Sequence, residues 1–354
     1  MTIGVAILSF AHGHSRLHAQ VFKELERAGA GVQVIGCWDD RPERGRRLAA
    51  AFEIPFVPVL DDLLGDPRVT GVTITNETAG HRWLAERAAR AGKHLLVYKP
   101  LATTLADCDA IIQAVAAAGV QAMMGLQAAF DPANQKIVEV VQSGLLGRIS
   151  LVRRRHSISA LLNPDFVNNP ETRWHLDPAQ NVGMLFDDAS HVTFFLHWLL
   201  GEPVSVVAEI DRTITDLGTD DTGVAIYRFR DGAFGVIENS SVTRAAENTT
   251  EVYGERGTLV HNYGDAVSTV IPRRAEDSAL KLYTVDQEPP AWRDLGIPAQ
   301  TPHRERLAQV ARQFVAMLQG RAEAWPTLWH GRWSVAMCLG AYESARTGRR
   351  VRFQ

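Results

Sequence analysis

The sequence lacks most of the features that would settle a class at once. It has only three cysteines in 354 residues, Cys37, Cys108 and Cys338. An odd, scattered set argues against a disulfide framework and fits a reducing compartment, the cytoplasm. No apolar run is long enough to span a bilayer, so no membrane partner is expected. The opening Met1-Thr-Ile-Gly-Val-Ala-Ile-Leu8 lacks the basic start and the cleavage site of a secretory leader and reads instead as a strand. Neither charge dominates, with 37 Lys and Arg against 40 Asp and Glu. That balance leaves no electrostatic footprint for nucleic acid. The run Arg153-Arg154-Arg155 is too short to supply one, and strand alternation would divide it between two faces. Internal repeats and low-complexity tracts are also missing.

What is present is a regular alternation of strand and helix over the first 125 residues. Apolar runs at 3–8, 32–37, 69–75, 95–97 and 120–125 read as strands covered on both faces. Helical stretches lie between them at 15–28, 42–52, 79–92 and 105–118. That order means βαβ units and a parallel sheet. The fourth run ends at Tyr98-Lys99-Pro100, where proline stops the ladder. Lys99 therefore sits at the carboxyl end of a strand, outside which open α/β sheets bind their ligands. A lysine delivered there needs a carboxylate, a substrate oxygen or an open cleft.

The first turn, Ser9-Phe10-Ala11-His12-Gly13-His14, occupies the place of a dinucleotide-binding glycine fingerprint. Ser9, Ala11 and His14 take its three glycine positions, so the fingerprint is degraded. Asp39 lies at the end of the second strand, where an acidic side chain meets the adenosine ribose hydroxyls. Asp40 adds negative charge that would repel a 2′-phosphate, favouring NAD over NADP. Either acid could instead cap the helix that starts at Pro42. His14 and His18 are spaced i, i+4, but no nearby carboxylate or cysteine completes a metal set, so no metal is expected. His12 or His14 can instead meet a phosphate or a substrate at the helix N-terminus.

After about residue 128 strands dominate, at 150–157, 204–210, 222–230, 233–241, 249–253 and 258–261, with a hairpin at Asp231-Gly232 and a tight turn at Gly254–Gly257. A helix at 132–144 precedes them. Helices at 303–319 and 329–347 and a last short strand follow. This reads as an α+β domain with an open, mostly antiparallel sheet. The helix from Gly183 to Gly201 carries Asp187 and His191 at i, i+4, on one face. An acid above a histidine can orient the ring and support its protonated form, making His191 a general-base candidate. A helix-dipole carboxylate beside a core histidine is the alternative.

Six stretches in order then carry a resemblance. They are Asp39–Arg44, Asn76–His81, Ala91–Ala102, Gly183–His191, Tyr253–Leu259 and Ala341–Gly348. Through them the chain resembles the glucose–fructose oxidoreductase/inositol dehydrogenase (Gfo/Idh/MocA) family. The resemblance implies an NAD(P)-binding Rossmann domain over 1–125 and a substrate-binding and oligomerisation domain over 126–354, whose sheet would join a homodimer or homotetramer. It implies catalytic roles for Lys99, Asp187 and His191, and cofactor contacts from Ser9, Phe10, Ala11, His12, Gly13, His14, Asp39, Asp40, Thr75, Asn76, His81, Tyr98, Lys99 and Gln127. His156, Asn163, Arg173, Trp174 and His175 are substrate candidates. The implied activity is hydride transfer between a sugar or polyol carbinol and NAD. Redox-neutral glycoside cleavage through transient C3 oxidation, and a non-catalytic sugar or nucleotide sensor, are the other readings. Tyr98 stands where the family has a glutamate, and Val182 where it has the first of two glycines.

Overall fold

The computed structural model describes residues 2–244, 248–262, 279–297 and 302–353. Five parallel strands form the first sheet: β1 (Ile3–Leu8), β2 (Val32–Trp38), β3 (Gly71–Ile74), β4 (His94–Tyr98) and β5 (Ala122–Gly125), in the order β2-β1-β3-β4-β5. Apart from Gln33 in β2 and His94 at the start of β4, these strands are buried, as apolar runs require. Helices α1 (His14–Arg27), α2 (Pro42–Phe52), α3 (Leu60–Gly65), α4 (His81–Arg90) and α5 (Leu105–Ala118) make the crossovers. The strand order reverses between β1 and β3, so the crevice expected of a doubly wound sheet opens there.

After α6 (Pro132–Gln142) the chain enters β6 (Ile149–Ser157), and a run of short turns with α7 (Pro164–Val167) and α8 (Pro178–Asn181) leads to α9 (Met184–Leu200). Then come β7 (Pro203–Asp211), β8 (Thr222–Phe229), β9 (Phe234–Ser240), β10 (Asn248–Gly254), β11 (Gly257–His261), β12 (Leu280–Thr284) and β13 (Arg293–Asp294). Helices α10 (His303–Leu318) and α11 (Leu328–Thr347) and strand β14 (Val351–Arg352) close the chain. The nine-stranded second sheet is antiparallel apart from the β6–β9 pair. One face packs on α9, whose apolar length is buried against Val152, Tyr227 and Ile237. Helix α10 returns to the first sheet and buries Phe314 beside Phe22 of α1.

The expected strands and long helices are all present, with ends moved by a few residues. Helix α3, strands β12 and β13, and the short turns between residues 158 and 181 were not expected. The last have no periodicity to read, because they are shaped by contact with the first sheet's turns. Arg153 and Arg154 do fall on opposite faces: the first is exposed beside Glu238, the second is buried.

Candidate active site

The cleft forms where the carboxyl ends of β1, β3 and β4 meet the start of α9. Lys99 leaves β4 into this seam and is 5% exposed. Its ammonium donates to Asp187 Oδ1 at 2.6 Å and to the Asp187 carbonyl at 3.2 Å, across 88 residues of sequence. The other carboxylate oxygen accepts from His175 Nδ1 at 2.5 Å. Burial pushes the Asp187 carboxyl up, but Lys99 and His175 outweigh it and hold it well below the usual carboxylate range. One ammonium hydrogen of Lys99 has no protein acceptor among the described residues.

The expected Asp187–His191 contact does not form. Both residues face the cleft from α9, but Asp187 spends its oxygens on Lys99 and His175. The carboxylate therefore orients His175; its charge still favours a protonated His191, but burial and Lys99 outweigh it. His191 Nδ1 is closed off, with no partner among the described residues, which leaves Nε2 to meet a ligand. Burial, helped by the Lys99 charge, holds His191 well below its ordinary pKa. It is thus a neutral imidazole near pH 7. The His156 ring lies 6.1 Å from it, and His156 Nδ1 donates to Asn248 Oδ1 at 2.5 Å.

Helix α9 is aimed by two devices. Asp220 Oδ1 accepts the Leu185 backbone N–H at 2.7 Å, and Tyr342 donates to Asp220 Oδ2 at the same distance. Gly183 fits between them: a Cβ there would come within 2.1 Å of Asp220 Oδ2. Val182, just before, has φ +62°. That is a glycine-type conformation held by a β-branched residue, a strained choice.

The first turn keeps the form of a dinucleotide loop without its glycines. Ser9 has φ +74°, the conformation the first glycine would supply. Gly13 precedes α1 with open space where a Cβ would be. His12 Nδ1 accepts from the His14 N–H at 3.2 Å, and His14 Nδ1 meets Tyr98 Oη at 2.5 Å. Burial holds both histidines well below their ordinary pKa. Trp174 closes over this turn, with its indole N–H on the Ala11 carbonyl at 3.4 Å. Asn76 Oδ1 and Gln127 Oε1 are buried without partners among the described residues. Two orphaned acceptors and a glycine-like turn fit a dinucleotide whose nicotinamide and ribose carry donors.

Other expected contacts fall behind this surface. The Asp39 side chain is fully buried. Its oxygens accept from the Phe10 and Arg41 N–H groups, both at 2.8 Å, and from Arg44 Nη2 at 2.7 Å and Nε at 3.0 Å. It thus braces the turn, and Asp40 is the half-exposed carboxylate beside it. Phe10 packs on Phe52, Thr75 holds the Ser9 carbonyl, and His81 spans the Asn76 and Leu101 carbonyls. Asn163 caps α7 and is exposed. Arg173 lines a cleft of about 650 Å³ with Asp40, Glu77 and Asp177. Arg44, Asp220 and Glu171 were missed. Arg44 was signalled by its place one turn into α2. Glu171, which binds Arg16 and Arg47, had no sequence signal.

Comparison with known proteins agrees with this fold. A model of the oxidoreductase family with an NAD-binding Rossmann fold matches residues 4–126, and a GFO/IDH/MocA C-terminal domain matches 134–260. The chain is 29% identical to myo-inositol 2-dehydrogenase of Thermotoga maritima over 56% of its own length and 58% of that protein's. It is 26% identical to 1,5-anhydro-D-fructose reductase of Ensifer adhaerens over 90% of each. A levoglucosan dehydrogenase solved with NADH and levoglucosan shares the fold, with a TM-score of 0.85 at 22% identity over 99% of each chain.

Proposed function

This chain belongs to the GFO/IDH/MocA family of NAD-binding oxidoreductases, and from that premise we propose an NAD-dependent dehydrogenase acting on a carbinol of a sugar, polyol or sugar derivative. The observation that carries the proposal is the Lys99–Asp187 contact at 2.6 Å between the two sheets' elements. NAD, when bound, supplies the acceptor for the carbinol hydride. The residues that would hold it are Ser9–His14, Asp40, Asn76 and Gln127. Asp39, Asp40 and Glu77 crowd around Arg44, which disfavours a 2′-phosphate and supports NAD over NADP.

The chain's own groups divide the proton work. Lys99 aims its free N–H at the substrate oxygen and stabilises developing negative charge there. Asp187 holds that ammonium in place. His191 is neutral and has Nε2 available, so it takes the hydroxyl proton. Trp174 and His175, stacked at 3.7 Å, exclude water from the first turn. No observation favours glycoside cleavage, and a silent sensor would have no use for this buried, half-satisfied cluster. The exposed face of the second sheet, with Val224, Ile226 and Phe234, supports a homo-oligomer joined there. Three unpaired, buried cysteines support a cytoplasmic setting. No described helix is long and apolar enough to cross a membrane.

The test is NADH formation across a panel of sugars and inositols, with NAD and NADP in parallel, by wild type and Lys99→Ala. We expect turnover with NAD that the variant loses. Equal turnover by both proteins would remove Lys99 from the mechanism, and a strong NADP preference would refute the role given to Asp40.

A further inference from the structure

Arg154 is 6% exposed and touches no carboxylate among the described residues. Its Nη1 is fixed by Asn134 Oδ1 at 2.8 Å and Thr250 Oγ1 at 3.1 Å, both neutral. Its guanidinium lies 4.2 Å from the centre of the Phe195 ring. Asp131 is the acid in its surroundings, but that carboxylate is committed. Oδ1 caps α6, and Oδ2 accepts from Arg306 at 3.0 Å. A buried cation without a counter-charge is costly and is kept where something pairs with it.

The place is informative. Arg154 and His156 are two apart on β6 and share its inner face. Phe195 is one turn beyond His191 on α9. So the guanidinium sits one helical turn along α9 from the His191 imidazole. His156, between them, feels Arg154, Arg306 and Lys99. Against these three cations stand Asp131, paired with Arg306, and Asp187, paired with Lys99. Among the described residues Arg154 is the cation left over. Moreover, Nε is buried with no partner and Nη2 makes no hydrogen bond among the described residues. Nε and Nη2 form the side edge that grips a carboxylate with two parallel bonds.

We propose that Arg154 is the recognition residue for a carboxylate on the substrate, making the preferred substrates sugar acids, aldonates or uronates, and not neutral sugars. This rests on the dehydrogenase reading above. A phosphate is the other anion of this chemistry. A single fork edge with no second free donor favours the planar monoanion.

The experiment pairs each hexose with its uronate, its aldonate and its 6-phosphate, on wild type, Arg154→Gln and Arg154→Lys. We expect kcat/KM for an acid to exceed that for its neutral partner about 100-fold, the scale of a charged bidentate contact. Arg154→Gln should erase that preference by raising KM, while turnover of neutral sugars changes little. Arg154→Lys should keep part of it. Equal use of acid and neutral sugar by wild type, or preference for the phosphate, would overturn the assignment. Thermal melts with the same acids separate the two readings. If no sugar reduces NAD, the dehydrogenase proposal fails. The anion site then still stands if an acid raises the wild-type Tm but not that of folded Arg154→Gln. It falls if no acid shifts the wild type.

Discussion

Two buried ion pairs stand at the carboxyl ends of β2 and β4, two strands of one sheet, and they serve opposite purposes. Arg44–Asp39 lies within one crossover, five residues apart, and every oxygen of Asp39 is engaged. Lys99–Asp187 joins elements 88 residues apart and stops short of saturation. One ammonium hydrogen and one face of His191 are left over. A saturated pair fixes shape. A pair with unused valence, next to an imidazole kept neutral, is ready to bind and move a proton. Burial alone does not tell the two apart; the count of unmet donors and acceptors does.

The sharpest way to break this contrast is to replace each cation with a nonpolar side chain. Lys99→Met should lower kcat by on the order of 10³-fold or more, as loss of an oxyanion-side donor does. Stopped-flow NADH formation at saturating NAD checks it. A drop under tenfold would make Lys99 structural. Arg44→Met strands the buried Asp39 carboxylate and should cost about 3–4 kcal/mol of stability, read by urea unfolding. Its kcat at saturating NAD should stay within a few fold, though NAD binding weakens with the turn. Normal stability in that variant would show that Asp39 is not held as described.

A third test concerns a buried group with no hydrogen-bond partner among the described residues. His18 is fully buried, neither ring nitrogen is bonded to a described residue, and burial lowers its pKa to about 4. Between pH 4 and 6.5 the unfolded chain binds a proton that the folded one refuses. Stability therefore falls as pH drops through that window. From pH 7 to pH 5, His18→Leu should lose about 2 kcal/mol less than wild type, in urea melts at the two pH values. Identical pH dependence would mean His18 is not held neutral.

The smallest effect should come from Val182→Gly. Relief of the φ +62° backbone outweighs lost packing and added chain entropy by about 1 kcal/mol. A less stable variant would show that the valine's contacts matter more than its conformation.

These particulars also show what the sequence could and could not reveal. Proline after Lys99 placed the ammonium at a strand end, and helical spacing placed Asp187 and His191 on one face. Both came out as expected. The partners did not, because spacing gives direction and not choice. Asp187 could reach His191, Lys99 or His175, and three-dimensional packing gave it the last two. Asp39 was read as a ribose ligand for the same reason: its position was legible, but Arg44's claim on it was not. Ser9 and Val182 looked like lost glycines, yet the backbone keeps the glycine conformation at both. Arg154 was visible only as one member of a basic run, since strand alternation does not say what a buried face encloses.

The most direct test of the central claim is a crystal structure of the enzyme with NADH and the best substrate found. The account predicts one substrate oxygen within about 3 Å of both Lys99 Nζ and His191 Nε2. A substrate bound with its oxygens away from both groups, and with the Lys99–Asp187 pair untouched, would contradict it.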